Sequence, residues 1–326
     1  MKNVAVTGAG GFIGTHLINE LNAKSWNIRW AVDNLNPPYG NDLSESRLNS
    51  ISNIVNLDKS DLNELSVSEL IQKMKNCEIV IHLAAFAGVR YGEEKPYDYF
   101  QNNVVVFEKI LRAIEITKPR CFIYASSSSV YGNSGTNGPC AENAATGLNL
   151  KSTYATTKWI NEIQAKDFTR RTNIKTLGLR FFTVYGPLGR PDMAYFKYLK
   201  SLRENKVFEI YGKNGGSRNY TYVSDAVIAI EKISTLALGE SIVSIPSILN
   251  IGFGPTTITS DLFSLIEKHS GMKHSNLKYV DRPKVDVDVT SADNSILVQL
   301  IGEIEVTPLE IGIKNFVNWA IDEKII

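Results

Sequence analysis

The chain has 326 residues, 43% apolar and 21% charged, with 35 Lys+Arg against 34 Asp+Glu. That length serves two modest domains or one elaborated α/β domain, and the balanced charge argues against nucleic acid as a partner. Scattered Cys77, Cys121 and Cys140 match neither a disulfide framework nor a zinc site, and no leader or bilayer-length apolar run occurs, so a metal-free, cytoplasmic chain off the membrane is expected.

Apolar runs at residues 4–7, 28–33, 79–83, 122–125 and 176–180 read as buried parallel strands. Helical stretches lie between them at 14–24, 64–75, 96–117 and 153–172. This alternation predicts an α/β fold with a doubly wound parallel sheet. Within 96–117, Phe100, Val104, Phe107, Leu111 and Ile114 form an apolar stripe. The stripe either packs on the sheet or, with the helix of Tyr154, faces another subunit. Beyond about Arg180 glycine and proline loosen the pattern, and helices are expected near 192–204, 224–238, 258–270 and 308–323. The division is 1–180 for a first domain and 181–326 for a smaller one, with about 218–252 returning to the first.

The first strand runs into Gly8, Gly11 and Gly14, a turn that opens a helix. Such a turn brings backbone N–H groups and a helix N-terminus to a pyrophosphate. Asp33, 19 residues after Gly14, can accept the adenosine ribose hydroxyls and repel a 2′-phosphate, which favours NAD over NADP. Asp61 and Leu62 are expected beside the adenine. Tyr154 and Lys158 are four residues apart on one helical face, where the ammonium is expected to lower the phenol's pKa. The hydroxyl run Ser126 to Ser129 follows a buried strand, so Ser127 can relay a proton between a substrate and Tyr154.

The glycine turn, the segment from His82 to Ala85, the serine run, Tyr154 with Lys158, and the segment from Arg218 to Asp225 together resemble the extended short-chain dehydrogenase/reductases. Residues 82–90 and 179–193 are similar to the UDP-glucuronate 4-epimerases within that superfamily. The resemblance implies a Rossmann-type sheet with tightly held NAD and a C-terminal α/β domain that binds a UDP-sugar. It gives Ser127, Tyr154 and Lys158 the catalytic places. Phe12, Ile13, Asn34, Leu83, Ala84, Ala85 and Asn103, with His82, fall on the cofactor side. The substrate side takes Ser127, Ser128, Ser129, Tyr154 and Thr183, with Arg90, Arg190, Arg218 and Arg282 as oxyanion partners. The run from Asp281 to Asp288 departs from the family pattern, which puts contacts of Arg282 and Asp286 with the nucleotide in doubt.

The implied reaction oxidises C4 of a UDP-hexuronic acid, turns the 4-keto sugar and reduces it on the other face. Dehydratases and decarboxylases of this scaffold carry acids where Ser128 and Ser129 stand. A 4-epimerase of UDP-glucose or a 2-acetamido sugar is the main alternative, and an NAD-binding regulatory protein the non-enzymatic one. Helix pairing of the family implies a homodimer.

Overall fold

The computed structural model describes residues 2–133, 138–144, 146–239 and 245–325. Its first half places β1 (Asn3–Thr7), α1 (Phe12–Ala23), β2 (Asn27–Val32), α2 (Ser44–Ile51), α3 (Val67–Met74), β3 (Ile79–His82), α4 (Val89–Glu94) and α5 (Pro96–Phe100). A π-helical turn (Gln101–Val105), α6 (Val106–Thr117), β4 (Cys121–Ser127), α7 (Thr153–Thr172) and β5 (Lys175–Phe181) complete it. The second half contains β6 (Thr183–Tyr185), α8 (Ala194–Glu204), β7 (Phe208–Tyr211), β8 (Ser217–Tyr222), α9 (Val223–Ala237) and β9 (Ile248–Ile251). It ends with β10 (Thr256–Ile258), α10 (Thr259–Ser270), β11 (Leu277–Val280), β12 (Val289–Thr290), α11 (Ser295–Ile301) and α12 (Leu309–Asp322).

Six strands form one parallel sheet in the order β2-β1-β3-β4-β5-β9. Both faces are covered, because strands without a polar side have to bury each face under helices. Leu17, Ile18 and Leu21 of α1 share one core with Val227, Ile230 and Ile233 of α9. On the other face Leu70 and Met74 of α3, Phe107 and Ile110 of α6, and Phe168 of α7 share a second. This is the expected doubly wound sheet, and the reversal of strand order between β1 and β3 opens a crevice at their carboxyl ends.

A smaller unit gathers α8, α10 and α12 around Tyr195, Leu199, Leu262, Ile266, Ile313 and Phe316. Its strands pair as β10-β8-β12 with β6 beside β8, and β7 pairs with β11. Strand β9 returns from it to the edge of the main sheet, Gly178 pairing with Ile248 and Phe181 with Ile251.

The segment 96–117, expected as one α-helix, carries the π-helical turn in its middle. Bonding from i to i+5 adds a residue to that turn. Tyr99 and Asn103 consequently take the inner face, fully buried, while Phe100, expected on the apolar stripe, is 38% exposed. Helix α7 coincides with its expected span: Ser152 caps it by accepting from the Ala155 N–H at 3.1 Å, and left-handed Asn173 ends it.

Candidate active site

The carboxyl ends of β1, β3 and β4, the first turn of α7 and the smaller unit enclose one cavity of about 1100 Å³. At one end lies the glycine turn. Gly8 has φ +73°, and a Cβ there would stand 2.5 Å from the Ala84 nitrogen. A Cβ on Gly14 would strike the Gly8 carbonyl oxygen. Only glycine therefore lets α1 begin this close to the sheet. Gly11 caps α1 without a side chain, which leaves the first-turn N–H groups of Phe12, Ile13 and Gly14 to an anion.

Asp33 stands at the end of β2, accepting from the Gly10 N–H at 3.1 Å and the Leu35 N–H at 2.8 Å. Burial raises its carboxyl above the usual range against the pull of those N–H groups. Asn34 donates to Asp61 at 3.0 Å, so the residues expected around an adenosine lie together, with Leu62 behind them. Leu83, Ala84 and Ala85 form the facing wall.

His82 and Asn103, expected on the cofactor side, stand behind that wall instead. His82 bonds through Nδ1 to the Thr7 hydroxyl at 2.7 Å, and burial, then the charge of Lys158, brings it down to about 3, so it is neutral. Asn103 is 1% exposed; its amide accepts from the Phe86 N–H at 2.7 Å and donates to the Phe86 carbonyl at 3.0 Å. It also donates to the Thr157 hydroxyl at 3.0 Å. Asn103 thus fastens the wall to α7, and the π-helical turn is what points it there.

Ser127 ends β4 in extended backbone, and its hydroxyl accepts from the Ser129 N–H at 3.1 Å. Ser128 and Ser129 open a 3₁₀ turn and line the cavity. Tyr154 lies in the first turn of α7, and Lys158 one turn later donates from Nζ to the Ala125 carbonyl at 3.0 Å. Nζ is 6.0 Å from the Tyr154 ring centre. The three groups converge at the cavity wall.

The electrostatics depart from expectation. Burial pushes the Tyr154 phenol up, with Arg190 and then the Ser127 hydroxyl opposing. Lys158, expected to lower it, is itself brought down to about 7 by burial. The cation set against the phenol is Arg190, which approaches from the loop after β6.

Arg190 is gripped by Asp192 at 3.0 and 2.6 Å and lies 5.0 Å over the Tyr39 ring. Thr183, in β6, lines the cavity nearby. Arg90 reaches Asp286 at 3.0 Å and lies 4.5 Å over Tyr211. Arg218 donates to the carbonyls of Ser217, Val287 and Asp288, and Arg282 to the Val287 carbonyl and the Asp288 carboxylate. These last two guanidiniums line the cavity while holding the 287–288 backbone.

Sequence reasoning missed Tyr39, Arg47 and Asp192. Arg47, 2% exposed, holds the carbonyls of Leu188 and Gly189 just before Arg190. Only the aspartate two residues after Arg190 was within local reach of a reading. Among the described residues no cluster of metal-ligating side chains occurs.

The model of the NAD dependent epimerase/dehydratase family matches residues 4–252. The chain belongs to this family. Among family relatives, UDP-glucuronate 4-epimerase 2 of Arabidopsis thaliana is 34% identical over 97% of this chain and 75% of its own length. UDP-glucuronate 4-epimerase of Thermodesulfobacterium geofontis is 33% identical over 97% and 95%. The solved UDP-glucuronic acid 4-epimerase from Bacillus cereus, in complex with UDP-glucuronic acid and NAD, superposes with a TM-score of 0.88. It is 29% identical and covers 98% of this chain and 99% of that one.

Proposed function

We propose that this chain inverts C4 of a UDP-hexuronic acid, interconverting UDP-glucuronate and UDP-galacturonate with NAD as resident cofactor. The observation that carries this is the convergence of Ser127, Tyr154 and Lys158 between the glycine turn and the arginine-lined half of one cavity. Likeness over nearly the whole chain to UDP-glucuronate 4-epimerases supports the choice of sugar.

The residues present fit NAD. The turn at Gly8 is a cradle that a Cβ would fill, Asp33 sits at the ribose end, and Leu83 to Ala85 form the opposite wall. Bound NAD would supply the hydride acceptor for C4 and a positive ring beside the phenol. Tyr154 takes the O4 proton and Ser127 relays it; Arg190 favours the phenolate, and Lys158, when protonated, adds a second positive charge one turn along α7. The N-terminus of α7 adds its partial positive charge. Hydroxyls of Ser128, Ser129 and Thr183, with Arg190, hold the C6 carboxylate so that its bond to C5 does not align with the C4 carbonyl. Alignment would release CO2. The serine run offers no acid for dehydration.

One observation favours a second reading, epimerisation of a neutral UDP-glucose or 2-acetamido sugar: Asp192 already fills the fork of Arg190. Incubation with UDP-glucuronate and no added cofactor, followed by proton NMR, separates the two. Accumulation of UDP-galacturonate without CO2 is expected. An inert UDP-glucuronate beside a converted UDP-glucose supports the neutral reading, and a pentose product assigns a decarboxylase.

The proposal extends to organisation. Residues 1–180, with about 218–252, make the NAD-binding unit, and the rest of 181–326 holds the UDP-sugar. Tyr97, Phe100, Val105 and Ile163 expose apolar surface on α5, the π-helical turn and α7. That surface suits a homodimer, for which light scattering should read twice the chain mass. Among the described residues no helix is long and apolar enough to cross a membrane. A cytoplasmic location goes with a nucleotide-sugar substrate.

A further inference from the structure

We propose that Arg180 and Glu162 are positioning residues, a buried ion pair that holds both ends of the Ser127–Ser129 segment in register with the helix carrying Tyr154 and Lys158. The inference rests on those three side chains being the reacting groups.

Arg180, on β5, sends Nε and Nη2 to the two oxygens of Glu162 at 2.9 and 2.8 Å, with both side chains at most 5% exposed. Glu162 lies on α7 one turn beyond Lys158. Its Oε1 also accepts from the Ser126 hydroxyl at 2.5 Å, directly before Ser127. The remaining nitrogen of Arg180 donates to the Tyr131 hydroxyl at 2.8 Å and to the Glu142 carbonyl at 3.1 Å. The Arg180 guanidinium lies 4.6 Å from the Tyr131 ring centre, and the Tyr131 hydroxyl donates onward to Asn250 of β9 at 2.8 Å. One guanidinium therefore fastens Ser126, just before the serine segment, through Glu162, and Tyr131, two residues after it, directly.

A buried ion pair is a poor source of stability, because desolvating both charges costs about what their attraction returns, and apolar substitutes of like volume often do as well. What this pair adds is direction. Its fork fixes β4, β5 and α7 against one another below the cavity floor. Of its partners only Ser126 also lines the cavity; Arg180, Glu162 and Tyr131 do not, so they act through the groups they hold.

The test uses holoprotein with UDP-glucuronate, or whichever sugar nucleotide the wild type converts. S126A and Y131F each delete one hydroxyl and leave the ion pair intact. An R180M/E162M double variant replaces the pair with apolar volume and leaves no lone charge. The expected result is kcat lower by ~10- to 100-fold, as small misplacements of reacting groups produce. KM and bound NAD should stay within about twofold of wild type, since uniform binding is untouched. A kcat within about twofold of wild type in S126A and Y131F, whatever their melting temperatures, overturns the proposal. So does a rise in KM with loss of NAD, which marks general loosening. A wild type that converts no sugar nucleotide removes the functional reading and this inference together, whereas active wild type with unaffected variants removes only the inference.

Discussion

Tyr154 occupies a position where two influences oppose each other. Burial favours its neutral form, while Arg190 and Ser127 favour the phenolate. Tyr154→Phe keeps the ring and its edge-on contact with Tyr99 and removes only the hydroxyl. Its kcat should fall ~10²- to 10⁴-fold, the usual weight of a positioned proton-transfer group, with KM and bound NAD unchanged. Steady-state kinetics on matched preparations check this. Lys158 makes a statement about stability. Its folded value, about 7, is below that of an unfolded lysine, so between pH 7 and roughly 10 the unfolded chain binds the extra proton. Stability then rises with pH across that window, and the burial penalty is fully present below it. Lys158→Met removes the penalty. Its melting temperature should exceed wild type most at pH 6.5, and the gap should narrow by pH 9.5. An equal gap at both values would mean that burial of the ammonium is not the cause. The pair Tyr154 and Lys158 was legible because a four-residue spacing is written locally. The Asp33 carboxylate was legible in the same way, at the end of an apolar run. The grip of Asp192 on Arg190, two residues away, was equally local though unread, whereas that of Arg47 on the preceding carbonyls was not legible, since those bonds exist only once the chain has folded.

At the scale of elements, strands β1, β3, β4 and β5 were readable because each is an apolar run buried on both faces, and edge strand β2 through its buried end, Trp30–Val32. Strand β9 was not read, being far along the chain from β5, the partner that makes it a strand. Helices α2, α4 and α11 were also unread. The glycine turn carries its own test. In Gly14→Ala the new methyl meets the Gly8 carbonyl oxygen, and backbone cannot rotate away as a side chain would. The first turn of α1 has to move off the sheet. The purified variant should lack co-purifying NAD, read by absorbance after denaturation, while its far-UV circular dichroism stays near wild type. Retained cofactor at wild-type occupancy would show that close approach of α1 is not needed. The π-helical turn at Gln101–Val105 left no mark in the apolar spacing, which simply read through it. It was Asn103 that required it, and the reason lies in Phe86, a residue in the loop between β3 and α4.

For the whole molecule, the chain does not finish one unit before starting the next. After β5 it enters the smaller unit, then comes back through α9, which packs on α1, and through β9, which pairs with β5. It leaves again for β10 and α10 and returns once more through α11. A fragment that stops at Arg180 loses the cover over Leu17, Ile18 and Leu21 and leaves an open parallel edge at β5. Such an edge invites pairing with other chains. The fragment should aggregate or lack a cooperative melt. A soluble fragment with a sharp transition would show that α9 and β9 are accessories. The threading also sets what kind of motion the molecule has at its disposal. Two bodies joined by one linker can swing apart as a clam does, but here several covalent strands cross the same boundary, and each would have to lengthen for a wide gape. Admission of a ligand is therefore expected to move local segments that border the cleft, such as the stretch around Tyr39, held by Arg47 and Arg190, and the stretch around Asp286, held by Arg90, Arg218 and Arg282. On this threading, entry of a ligand should shift such borders and leave the two units in place.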